Sequence, residues 1–190
     1  MTDETTNALR AVAHPVRLRM LSLLTGTELS AAEVARELGI SHANASYHLR
    51  TLLDAGELVI ASEEKIRGGV AKRYRHPWED DAVRKPKRAV TLEDRTLYVR
   101  VMAEELVRRS RQSRLGTRSH YSDAELWVSP EDYAAVMEQV HAASMALHGA
   151  ARPPRTEGTV RVNLTAALFQ MGQSQMEQSR MEESRTEGDR

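Results

Sequence analysis

The 190-residue chain has no cysteine and few aromatic residues: one Phe, two Trp and five Tyr. Without thiols there can be no disulfide framework, thiolate metal site or redox switch. An aromatic share of 4% beside a charged share of 28% implies a small core with much exposed helix around it. No apolar run approaches the roughly 20 residues that span a bilayer. The opening MTDETTN lacks the basic start and apolar stretch of a secretion leader, so a cytoplasmic location is expected. Lys+Arg and Asp+Glu each total 27, which gives a formal net charge of zero. Any basic surface must therefore be local. A Gly-rich phosphate loop, a nucleophile elbow and a paired-His metal helix are also missing, so neither enzymatic activity nor a cofactor is expected.

What is present centres on residues 29–56, LSAAEVARELGISHANASYHLRTLLDAG. Ser30 and Glu33 form an S-x-x-E capping box, and Leu29 with Val34 supplies the hydrophobic staple that sets the entry of the chain into a first helix. Gly39 stops that helix, Ile40 fills the turn, and Ser41 caps a second helix that runs to Asp54. Small Ala35, Gly39 and Ala45 stand where a helix-turn-helix needs close approach, a positive φ and a core contact.

In the second helix Ala45, Leu49, Leu52 and Leu53 recur at three-and-four spacing and face a core. The outward face then carries Ser41, His42, Ser46, Tyr47 and Arg50, with Asn44 and His48 at its margins. Those groups can hydrogen-bond base edges or phosphates. A polar helix face is commonly just solvated surface. Here, however, no acidic residue falls between His42 and Leu53, as the field of a duplex requires, although Asp54 and Glu57 follow.

Upstream, residues 5–25 read as a helical pair broken at His14-Pro15, with Val16, Met20, Leu21 and Leu24 as a buried stripe. Downstream, residues 57–64 and 70–75 read as two strands joined at Gly68-Gly69. This hairpin, directly behind a recognition helix, is the wing of a winged helix-turn-helix. Its cations Lys65, Arg67, Lys72, Arg73 and Arg75 are candidates for phosphate or minor-groove contact.

The stretches AVAHPVRLRMLSLL, SAAEVARELGISHANASYHLRTLLDAGEL and RGGVAKRYR resemble the arsenic-repressor-type (ArsR) family of bacterial winged-helix regulators over about the first 76 residues. The family opening stands at Ala13, His14, Pro15 and Arg17, and its recognition-helix pattern at Ser41, Ala45, Ser46, His48 and Leu49. The resemblance implies a homodimer that places two recognition helices in successive major grooves of double-stranded DNA and represses until an effector releases it. The family's Cys-x-Cys metal-sensing motif is absent.

The expected architecture is mainly α with a small β wing, followed by a long dimerisation helix and a small C-terminal β-α-β module. Residues 1–76 form the DNA-binding domain, and 77–90, with two prolines and blocks of opposite charge, a linker. Residues 91–116 form the dimerisation helix, capped by Thr91 and Asp94. Leu92, Val99, Met102, Ala103 and Leu106 make its intersubunit seam, and Glu104/Arg108 and Glu105/Arg109 pair on the other face. In the module, 117–169, AELWVS and the alternating run from Thr159 to Phe169 read as strands on either side of a helix opened by Ser129-Pro130. Trp127, Tyr133, Met137 and Leu164 are expected either to form its core or to line a crevice for a small organic effector. Residues 170–190 read as a disordered tail. Two alternatives stand beside this reading. One is a winged helix used only for protein contacts. The other is a repressor responding to metal through His141, His148 and Glu138, or His120 and Asp123, whose spacing is poor for a ligand set.

Overall fold

A computed structural model describes residues 8–66, 69–80 and 90–172. The first elements are α1 (Ala8–Val12) and α2 (Pro15–Leu24), separated where expected. Pro15 occupies the first turn of α2, where its missing N–H is not needed. The N-cap is His14, whose Nδ1 accepts from the Val16 N–H at 3.2 Å.

Next come β1 (Leu29–Ser30), α3 (Ala31–Leu38) and α4 (His42–Asp54). The capping box forms in both directions: Ser30 Oγ accepts from the Glu33 N–H, and the Ser30 N–H donates to Glu33 Oε2 at 2.8 Å. Gly39 ends α3 in the left-handed region at φ 66°, and nothing lies within 4 Å of where a Cβ would be. Glycine is required there by backbone conformation and not by crowding. Ser41 then caps α4 by accepting from the Asn44 N–H at 3.2 Å.

The hairpin consists of β2 (Val59–Ile66) and β3 (Gly69–Arg75), antiparallel, with a register irregularity between Ile60 and Ser62. Strand β1, not expected from the sequence, pairs Leu29 with Tyr74 and Ser30 with Arg73 to complete a sheet of order β1-β3-β2. A two-residue strand leaves no alternation to read. Its effect is to tie the wing to the start of the helix-turn-helix. Met20, Leu24, Val34, Ala45, Leu49 and Leu52 are fully enclosed between α2, α3 and α4, and Leu58 closes the core from the start of the wing. This arrangement is a winged helix-turn-helix.

Residues 77–80 of the expected linker are not free. Pro77 is buried, and the Trp78 ring meets that of His148 at 5.6 Å. The remainder, 81–89, lies outside the described residues. After it α5 (Leu92–Ser110) starts at the predicted cap, with Thr91 Oγ1 accepting from the Asp94 N–H at 3.1 Å, but stops well before Gly116, at Ser110. It packs its Asp94, Tyr98, Val101 and Glu105 side against α1 and α2. The expected Glu105/Arg109 pair forms at 3.4 Å, but Glu105 is 4% exposed and lies toward the core, and Arg108, expected to pair with Glu104, closes on it instead at 2.7 Å. Burial alone would raise its pKa, but the hydrogen bonds and charge of Arg108, aided by Arg109 and Arg19, outweigh that and hold it low.

Helix α6 (Pro130–Gly149) opens at Ser129, which accepts from the Asp132 N–H at 3.0 Å, as read from the sequence. The flanking strands of the predicted β-α-β module are not formed. Residues 117–129 and 157–170 make no ladder in this chain, because the sheet of the described residues ends with β1, β2 and β3. Alternation signals a surface ready to pair, but a strand exists only where a second strand accepts its hydrogen bonds. In the tail, 170–172 lack regular structure and 173–190 lie outside the described residues.

Candidate nucleic-acid interface

Helix α4 is clamped by one face and free on the other. Ala45, Leu49 and Leu52 have no exposure, which fixes the rotation of the helix about its axis. Tyr47 is consequently 60% exposed, and Ser41, His42, Asn44 and Arg50 are also exposed, with Ser46 half-buried beside them. This is the combination of hydroxyl, amide, imidazole and guanidinium groups that reads base edges and phosphates. The Tyr47 carbonyl accepts from Thr51 Oγ1 at 3.1 Å on the same surface.

His48 does not belong to that surface. It is 6% exposed, and its ring lies against His14 at 4.6 Å and edge-on to Tyr47 at 5.1 Å. Its position at the boundary of the apolar stripe left it free to turn either way, and α2 supplied a ring to pack on. Burial lowers its pKa, and the nearby His14 and Arg17 lower it further; His14 is likewise lowered by burial and then by Arg17. Arg17, which the sequence reading named only as part of a motif, has its Nε buried, and its own pKa is lowered by burial. Together with His14 it forms the floor beneath the reading face. Its place in the first turn of α2, after His14-Pro15, was the available signal.

In the wing, Lys65 and Lys72 are exposed, with Lys72 opposite Glu63 in the ladder. Arg67 lies outside the described residues. Arg73 is engaged within the chain: its guanidinium donates to the Glu28 carbonyl at 2.8 Å and pairs with Glu33 at 3.1 Å, which holds the wing to the capping box. Glu33 has a lowered pKa first because the Ser30 N–H donates to it, with the Ser30 hydroxyl and Arg73 adding to the effect. Arg75 is occupied by Glu79.

The outer side of α5 presents Leu92, Val99, Ala103 and Leu106, all exposed, with Met102 half-buried at its edge. The proposed effector crevice is not assembled within one chain. Trp127 is 87% exposed, while Tyr133 sits in a shallow depression with Arg95, Leu168 and Phe169. Among the described residues no three His, Cys, Asp or Glu side chains gather as ligands, and no helix is long and apolar enough to cross a membrane.

Helix pair, turn and hairpin together define a winged helix-turn-helix domain of the kind carried by DNA-binding regulators. A family model described as a helix-turn-helix domain matches residues 12–59, from the end of α1 to the start of the wing. No curated protein matches the chain.

Proposed function

We propose that the chain is a sequence-specific transcription regulator of the arsenic-repressor type, which binds an inverted-repeat operator as a homodimer and represses. The observation that carries this reading is the exposed face of α4. Its His42, Asn44, Tyr47 and Arg50 are held outward by a fully buried opposite stripe, and no acid interrupts them before Asp54. A winged helix used only for protein contacts needs neither the cations nor the absence of acids. The outward stripe of α5 supports dimerisation, because Leu92, Val99 and Leu106 stand on the side away from the chain's own core. No catalytic activity is assigned. Release by a small organic effector fits a chain with no cysteine to hold a soft metal.

The test is recovery and sequencing of the genomic fragments that the purified protein retains. Enrichment of a shared inverted repeat, protected over both half-sites, is the expected result. Retention without any common sequence would overturn the reading.

A further inference from the structure

Residues 117–172 contain the longest helix of the described chain, α6, and not one buried residue. Its far end is anchored where His148 meets Trp78, Ala151 lies against Gly26 and Arg155 pairs with Glu37, and near its start Tyr133 shares a shallow depression with Arg95, Leu168 and Phe169. The chain then returns to α5: Asn163 Oδ1 accepts from Arg109 at 3.1 Å, and Phe169 lines a depression with Arg95. Two segments with strand sequences pair with no strand among the described residues. The first, 124–129, exposes Leu126, Trp127 and Val128; the second, 159–165, exposes Val160, Val162 and Leu164. Backbone that joins no ladder, beside uncovered apolar side chains, is a surface awaiting a cover.

We propose that this cover is a second copy of the same chain: segment 124–129 of each copy pairs as a strand with segment 159–165 of the other. The proposal rests on the homodimer reading above and specifies which parts are exchanged. Three observations select a second copy. The segments are complementary in charge, with Asp123 and Glu125 at the first and Arg161 in the second. A two-fold axis that brings the first segment of one copy to the second of the other makes the reciprocal pairing as well, so both unpaired strands are satisfied at once. The second segment also meets α5, where Asn163 accepts from Arg109, on the helix whose outward side exposes Leu92, Val99 and Leu106. The exposed aromatic and aliphatic side chains here offer on the order of 1,000 Å² per chain, the scale of a stable specific interface and not of a crystal contact.

The chain has two tryptophans, so the full-length Trp78→Phe variant reports on Trp127 alone. Acrylamide quenching of its fluorescence and mass by sedimentation are followed together across a dilution series. Quenching is expected to be several-fold slower where the protein is dimeric and to rise to the value of a free indole as monomer appears. Adding Val162→Pro, which removes a ladder donor from an exposed position outside the winged domain, is expected to weaken dimerisation at least tenfold and leave Trp127 fully quenchable. A dimer whose Trp127 is freely quenched, or one indifferent to Val162→Pro, overturns the strand exchange while leaving the homodimer intact. Protection of Trp127 in the monomer overturns it too. A chain that is monomeric at every concentration removes the homodimer reading as well as this one.

Discussion

The imidazole rings of His14 and His48 stand 4.6 Å apart, tilted by 38°, and join the first residue of the α2 cap to the buried side of the recognition helix. Through this contact the outward pose of Tyr47 and Arg50 depends on α2 as well as on the aliphatic core. Burial favours the neutral form of both rings in the folded protein. His14 Nδ1 must stay unprotonated to accept from Val16, and His48 Nδ1 is buried without a partner.

Both histidines have pKa values below that of an unfolded chain, so the unfolded state binds more protons in acid. The stability they confer is complete above about pH 6.5, the unfolded value, and is lost as pH falls from there through the lowered folded values. Thermal unfolding at constant ionic strength is expected to show a lower Tm at acid pH than at neutral pH. The His14→Asn, His48→Gln double variant keeps an N-cap and is expected to flatten that slope. An unaltered slope would assign the pH dependence elsewhere.

Replacing the exposed reading residues is expected to affect binding without affecting folding. Arg50→Ala or Tyr47→Ala loses roughly 1–3 kcal/mol of specific binding for each base-directed contact, with Tm nearly unchanged. His48→Ala is expected to do the reverse first, lowering Tm by removing a buried ring. Operator titration and thermal melts on the same preparations separate the two effects.

The wing divides in a similar way. Lys65→Ala and Lys72→Ala each reduce the slope of log affinity against log salt by about 1 if they touch phosphate, on specific and nonspecific DNA alike. Arg73→Ala instead lowers stability by about 1 kcal/mol, the scale of a partly exposed ion pair with a hydrogen bond to a carbonyl, because its guanidinium serves Glu28 and Glu33. A salt slope altered by Arg73→Ala more than by the lysines would place Arg73 on the DNA.

Leu106 is 39% exposed on the outward side of α5, so a charge there leaves the chain's own core alone. Leu106→Glu is expected to yield a folded monomer with no operator affinity, since half-sites about 10–10.5 bp apart need two linked recognition helices. Light scattering that still finds a monodisperse dimer would move the interface off this stripe.

What the sequence alone determined is what depends on neighbours a few residues away. Ser30 with Glu33, Gly39, Ser41, Thr91 with Asp94 and Ser129 with Asp132 each satisfy or end a helix through short-range hydrogen bonds or a local φ, and all stand where the sequence places them. The buried stripe of α4 was equally legible, since three-and-four spacing is itself a statement of geometry. Tertiary structure decided what local rules leave degenerate. His48 lies at the edge of a stripe and goes inward because His14 is there, and Arg73 is held to the capping box by a carboxylate 40 residues away. Helix α5 carries apolar residues on two sides, so spacing could not say that Val101 and Glu105 would face the core and Leu106 the solvent. The segments around Val128 and Val162 have strand sequences, but a strand's hydrogen bonds belong to another strand, and the described residues of this chain do not provide one.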